Sequence, residues 1–194
     1  MTETFPWDPL TLNEVLELMD DFSAPWWIGG GWALDLYIGR QTREHADVDV
    51  IIRRTDQEFL RRLLPRWDVC IAHEGTLERW TAQLEPPRHG LWARRDAARG
   101  WQVEFLLAET EGDEWVYRRD ANIRMPFADV ILRTREGVPY LRPELLLLNK
   151  SARVRDRDEL DFEAVLPLLD DHARARLHGW LPPAHDWRAR LADW

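Results

Sequence analysis

Three consecutive glycines, Gly29-Gly30-Gly31, separate an apolar Trp26-Trp27-Ile28 from a segment, Trp32 to Ile38, that suits a short helix stopped by Gly39. A little further on, Asp47-Val48-Asp49-Val50-Ile51-Ile52 is strongly strand-like. The order strand, glycine turn, helix, strand restricts this part of the chain to a mixed α/β arrangement. Residues two apart on a strand share a side, so Asp47 and Asp49 put two carboxylates on one face, about 7 Å apart at their Cα atoms. Val48, Val50 and Ile52 then face the core.

The flanking sequence extends this pattern. Thr11-Leu12-Asn13-Glu14 is a capping box opening an amphipathic helix over 12–22, with Leu12, Val15, Leu16, Met19 and Phe22 on its apolar stripe and Pro25 beyond it. Thr55-Asp56-Gln57-Glu58 reads as a second capping box, with Leu60, Leu63 and Leu64 turned inward. Short strand-like pieces follow near 67–72, 89–94, 101–107 and 129–133, separated by turns bearing Gly and Pro. Pro143 then sits at a helix start, and helices are expected from Glu144, from Asp158, and over 171–180 and 185–193. The expected organisation is an α/β (α+β) region over 1–140, a small mixed sheet with flanking helices, followed by a C-terminal helical region over 141–194.

Two like charges as close as Asp47 and Asp49 are costly unless a cation offsets them, and hard oxygen ligands on a rigid strand suit Mg²⁺. The glycines let a backbone approach a phosphate, and N–H groups at the following helix start make an anion seat. Alone, the glycines read as a tight strand-to-helix turn and the aspartates as a solvated strand face. Their succession in order points to a phosphate cradle beside a metal site. A Walker loop is excluded because Trp32-Ala33 follows Gly31 where Lys-Ser/Thr is needed, and a dinucleotide fingerprint because Leu34 stands where a further glycine belongs.

Gly30-Gly31-Trp32-Ala33-Leu34-Asp35 and Gly39-Arg40-Gln41-Thr42-Arg43-Glu44-His45-Ala46-Asp47-Val48-Asp49-Val50 resemble the polymerase-β-like nucleotidyltransferases. The resemblance is to the antibiotic nucleotidyltransferases related to aminoglycoside 2''-adenylyltransferase and lincosamide nucleotidyltransferase. It is specific over residues 26–52 and weaker through Leu141-Arg142-Pro143-Glu144 to Lys150 and over Arg157–Phe162. It implies a nucleotidyltransferase fold. It also implies two metal-holding aspartates, matched by Asp47 and Asp49, and a third acid on a neighbouring strand. Together these bind Mg²⁺ and ATP while an acceptor hydroxyl attacks the α-phosphorus and releases pyrophosphate.

In Trp101-Gln102-Val103-Glu104-Phe105-Leu106-Leu107 alternation leaves Glu104 on the face opposite Trp101, Val103, Phe105 and Leu107. An acid between Val103 and Phe105 is costly to bury without a partner, and a metal or a substrate hydroxyl would supply one. Glu104 is therefore the expected third metal ligand and general base, the alternative being an exposed position on an edge strand. Members of the resembled family often carry Asp here. Gly30, Gly31, Arg43 and Lys150 are the expected nucleotide contacts, Arg43 as a bidentate clamp and Lys150, the only lysine beside 25 arginines, as a triphosphate contact that the resemblance implies, the alternative for it being a solvated helix position. His45 is expected to brace the loop, and Asp158 and Asp161 read as helix-start residues explained by capping.

Charge narrows the partners. The chain carries 26 basic and 35 acidic residues for a net charge of -9, which disfavours nucleic acid and favours a small-molecule or cationic partner. Glu109, Glu111, Asp113 and Glu114 crowd beside Trp115. This is either an acidic solvated turn or a border that draws a polycation such as an aminoglycoside, with Trp115 stacking on a sugar. One cysteine, Cys70, excludes an internal disulfide framework and any multi-cysteine zinc site, and reads as a small residue in a strand. The beginning of the chain, Met1 to Pro6, lacks a signal-peptide pattern, and no stretch approaches the roughly 18 apolar residues that span a bilayer. The expectation is a cytoplasmic protein without membrane partners. The leading functional expectation is AMP transfer from ATP to a hydroxyl of a small molecule, plausibly an aminoglycoside-like antibiotic. A protein-modifying, antitoxin-like transferase and a non-catalytic nucleotide-binding module are the alternatives.

Overall fold

A computed structural model describes residues 6–193, so the reading of residues 1–5 against a signal peptide lies outside the described residues. The capping box at Thr11 forms: its Oγ1 accepts from the Glu14 N–H at 3.3 Å, while Glu14 Oε2 accepts from the Thr11 N–H at 2.8 Å. Helix α1 runs Leu12–Met19 and stops at Asp20-Asp21, acids that a helix C-terminus disfavours. Strand β1 (Trp26–Ile28) leads through Gly29 into α2 (Gly30–Ile38), closed by Gly39 at φ +82, where a side chain would be strained.

Strand β2 covers Asp49–Arg53, so Asp47 stands just ahead of it rather than within it. The second capping box does not form. A 3₁₀ turn, Arg54–Asp56, precedes α3 (Gln57–Leu63), and Asp56 is instead held by Arg53 at 2.6 and 3.1 Å. Thr55 lies inside that turn rather than at the helix N-cap, so its hydroxyl is not placed to cap α3.

Four strands occur near the expected places: β3 (Asp68–His73), β5 (Gly90–Arg94), β6 (Val103–Glu111) and, further on, β9 (Ile131–Arg133). Between them lie β4 (Thr76–Arg79), β7 (Glu114–Val116), β8 (Arg124–Pro126) and the short helix α4 (Phe127–Val130). The remainder is β10 (Pro139–Leu141), α5 (Pro143–Ser151), α6 (Asp156–Val165), α7 (Asp171–Trp180) and α8 (Asp186–Ala192). The expected mixed α/β class with C-terminal helices is what the structure has.

The described residues form two compact units, one of residues 6–28 and 45–127, the other of 29–44 and 128–193. In the first, the strands are ordered β4-β3-β5-β6-β2-β1. All of these pair antiparallel except β2 and β6, which are parallel. The outer half of β6 leaves this sheet to pair with β7, which pairs with β8. The segment ahead of α1 is tied to the start of β6, with the Asp8 N–H donating to Trp101 O and the Leu10 N–H to Gln102 O, both at 2.9 Å. Trp27, Ile28, Ile52, Leu60, Leu91 and Phe105 are fully buried, each contributing about 1.5–3 kcal/mol of hydrophobic stabilisation.

In the second unit, the run Leu145-Leu146-Leu147-Leu148 is buried on every side of α5. That is the mark of a helix enclosed by others rather than one with a single apolar stripe. Phe162 of α6 stacks on Trp187 of α8 with ring centroids 4.4 Å apart, and the Tyr37 hydroxyl donates to Leu168 O at 2.5 Å. Strands β9 and β10 form an antiparallel hairpin. No helix among the described residues is long and apolar enough to cross a membrane.

Candidate active site

Glu104 lies on β6 between two paired neighbours, so it is not on an edge strand. The parallel pairing sets it directly opposite Asp49, and its N–H donates to Val48 O at 3.4 Å. Val103 and Phe105 on either side are fully buried, which anchors the alternation and turns Glu104 to the other face. Val48 and Val50 do the same for Asp47 and Asp49. The result is that Asp47, Asp49 and Glu104 each offer a carboxylate oxygen within 4.8 Å of the others, all three half-buried. Burial holds the Glu104 carboxyl well above its usual range, and the charges of Asp49 and Asp47 add to the rise. Hard oxygen ligands converging where their own repulsion disfavours full ionisation are a donor set that a divalent cation fits.

The second unit holds the other expected residues. Gly30 takes φ +56 at the first position of α2, a conformation for which glycine is suited, with Gly29 as N-cap and Gly31 following. Arg43 Nε and Nη2 donate to the two carboxylate oxygens of Asp161 at 2.9 and 3.0 Å, and Nη1 donates to Glu44 O. Lys150 Nζ donates to Asp158 at 2.7 Å and pairs with Asp161 at 2.9 Å. Arg43 and Lys150 therefore meet on one carboxylate. Asp158 and Asp161, read from the sequence as simple helix-start acids, are buried at 0% and 3% exposure as the centre of an ion-pair cluster. Asp158 does also cap α6, accepting from the Arg155 N–H at 3.1 Å. Nothing local in the sequence signals the Arg43–Asp161 pair, whose members are 118 positions apart.

The acidic stretch at 109–114 corrects the idea of a stacking tryptophan. Trp115 is 5% exposed and stacks on Tyr117, so its ring is part of the packing and is not open to a sugar. Glu109 is paired with Arg54, and Glu111 and Glu114 share Arg124. Trp27 and Trp101 are core residues, whereas Trp32 is half-buried. Cys70 is half-buried on β3, where burial raises its thiol.

Residues 11–80 match the family model of aminoglycoside-2''-adenylyltransferase. A 2''-aminoglycoside nucleotidyltransferase of Klebsiella pneumoniae is 39% identical over 56 residues, 27% of this chain and 32% of that protein. A lincosamide resistance protein of Staphylococcus haemolyticus is 39% identical over 36 residues, 19% of this chain and 22% of that protein. The chain thus spans about a third of the length of the first of these curated relatives, 32%.

In three dimensions, a lincomycin-bound lincosamide antibiotic adenylyltransferase shares the fold at TM-score 0.57 and 16% identity, covering 84% of this chain and 100% of that one. ANT(2'')-Ia in complex with adenylyl-2''-tobramycin gives TM-score 0.57 at 16% identity, covering 87% and 94%. The match over 11–80 contains the glycine turn, the loop and both aspartates, the segment on which the sequence resemblance rested. That resemblance is borne out: the chain shares the fold of these two antibiotic adenylyltransferases, and its residues 11–80 match the family model of aminoglycoside-2''-adenylyltransferase.

Proposed function

We propose that the protein is a Mg²⁺-dependent nucleotidyltransferase that moves AMP from ATP to a hydroxyl of a small, cationic, aminoglycoside-like acceptor. The observation that carries this reading is the convergence of Asp47, Asp49 and Glu104 within 4.8 Å on the β2–β6 pair. The family match over 11–80 supports the same chemistry. Asp47, Asp49 and Glu104 would hold Mg²⁺, which when bound offsets charge on the triphosphate and eases proton loss from the acceptor hydroxyl.

The protein's own contribution is positional. Val48, Val50, Val103 and Phe105 pack the strands, so the three carboxylates are held before substrate arrives. Glu104 accepts the proton of the acceptor hydroxyl as that oxygen bonds to the α-phosphorus, and the bond from the α-phosphorus to the leaving pyrophosphate breaks. In the second unit, Gly30 and Gly31 offer backbone N–H groups to phosphate. Arg43 and Lys150 are the proposed cationic contacts. Both already hold Asp161, so a phosphate would share them with a buried carboxylate.

The test incubates the purified protein with Mg²⁺, labelled nucleoside triphosphates and a panel of aminoglycosides and lincosamides, following pyrophosphate and adduct mass. An AMP adduct on an aminoglycoside is the expected result. Absence of both pyrophosphate and adduct across the panel overturns the reading.

A further inference from the structure

Gly90 opens β5 with Ala72 of β3 on one side and Leu106 of β6 on the other, two positions along from Trp92, the partner of Glu104. Diagonal neighbours in a sheet are close enough for a long side chain to reach. A Cβ at position 90 would lie 3.2 Å from Ala72 O, 3.3 Å from Glu104 Oε1 and 3.9 Å from the Ala72 Cβ. The two close contacts differ in kind. Ala72 O belongs to the β3–β5 ladder and is fixed by its register. Glu104 Oε1 ends a side chain that yields by rotation. A methyl group at 90 would be relieved by displacement of the Glu104 carboxylate from the position in which it meets Asp47 and Asp49. Backbone conformation does not require this glycine, and glycine inside a strand is otherwise unfavourable.

We infer that Gly90 is a positioning residue: the missing side chain makes the room that lets an acid as long as glutamate serve as the third carboxylate. The inference rests on the reading of Glu104 as a metal ligand. It makes positions 90 and 104 interdependent, since aspartate at 104 is one methylene shorter and its carboxylate withdraws from the space a Cβ at 90 would fill.

The experiment measures Mn²⁺ binding to the full chain, by the electron paramagnetic resonance signal of free Mn²⁺, for the unaltered protein and four variants: Glu104→Gln, Gly90→Ala, Glu104→Asp and Gly90→Ala/Glu104→Asp. Thermal melts accompany each. Glu104→Gln tests the underlying reading and should weaken Mn²⁺ about tenfold or more. Gly90→Ala should weaken it by a comparable factor with the fold intact. In the Glu104→Asp background the same alanine should change the dissociation constant by less than about twofold. Native affinity in Gly90→Ala, or an equal loss from alanine in both backgrounds, overturns the inference while leaving the ligand reading standing. Native affinity in Glu104→Gln removes both. If Gly90→Ala fails to fold, a folded double variant supports the steric conflict with Glu104, and an unfolded one overturns it by placing the conflict at the Ala72 backbone.

Discussion

Replacing Asp158 by asparagine removes a charge from a fully buried position while keeping the shape. In the native protein its carboxylate accepts from Lys150 Nζ at 2.7 Å, from Arg155 Nε at 2.8 Å and from the Arg155 N–H at 3.1 Å. Burial alone would raise its pKa, but the hydrogen bonds from Arg155 and Lys150 prevail and lower it from 3.8 to about 2. Each pKa unit corresponds to about 1.4 kcal/mol, so the ionised form contributes about 2–3 kcal/mol at neutral pH. Asparagine also leaves Lys150, 10% exposed, with Asp161 as its remaining carboxylate. The cost of weakening this buried cluster brings the expected loss to about 3 kcal/mol, at the low end of the range for breaking a buried pair. At roughly 2–4 °C per kcal/mol for a chain of this size, the melting midpoint should fall by about 6–12 °C.

The sign of the pH dependence follows from the lowered pKa. The contribution is present above about pH 4 and is lost as pH falls toward 2, because the unfolded chain then takes up the proton first. Urea denaturation of the native protein and of Asp158→Asn across pH 2–7 isolates this term in the difference between them. That difference should shrink steadily below pH 4. A variant within about 0.5 kcal/mol of native at pH 7, or a difference that stays constant with pH, would refute the reasoning.

Asp49→Asn should abolish turnover and Mn²⁺ binding yet leave the chelator-treated protein at least as stable at pH 7–8. The raised pKa of Glu104 means the fold loses stability as pH rises through that value, and removing the Asp49 charge relieves part of the loss. Melts with and without chelator check this, and a lower chelated midpoint would count against the arrangement. Trp115→Ala should cost about 3–5 kcal/mol, because the ring is buried. Urea titration measures that cost, and an effect confined to the acceptor Michaelis constant would contradict the packing role. Gly39→Ala should cost about 1–2 kcal/mol, since φ +82 is strained for any other residue at this helix stop, with little change in Mn²⁺ affinity.

Much of the proposed metal site was legible because its three acids sit in local hydrophobic patterns. Glu104 stands between Val103 and Phe105, and Asp47 and Asp49 flank Val48, so the period of a strand alone turns them to a common kind of face. That β6 is central and parallel to β2, so that Glu104 meets Asp49 rather than another residue, is a tertiary fact that no local pattern encodes. The same limit hid Asp161, whose partner Arg43 is far along the chain, and Gly90, whose importance depends on a diagonal contact across β5 and β6. The short strands β4, β7 and β10 were missed because each is too brief to show alternation against turn-like neighbours. Trp115 misled for a related reason: the acids that precede it made it look exposed, yet a tight hairpin turns its ring inward onto Tyr117.

The parallel pairing of β2 and β6 also bears on how such a chain can diversify. Antiparallel partners joined by a hairpin inherit their alignment from the turn, so a turn that gains a residue shifts everything beyond it. Parallel partners share no turn. The alignment of Asp49 with Glu104 is kept by the buried neighbours of each, and a slip by one position would swing Glu104 into the core and Phe105 out of it. Length changes at an exposed connection between the two strands, such as the turn at Glu74-Gly75, are thereby uncoupled from the spacing of the acids. Exposed loops can lengthen or shorten over generations while the three carboxylates stay where the core keeps them.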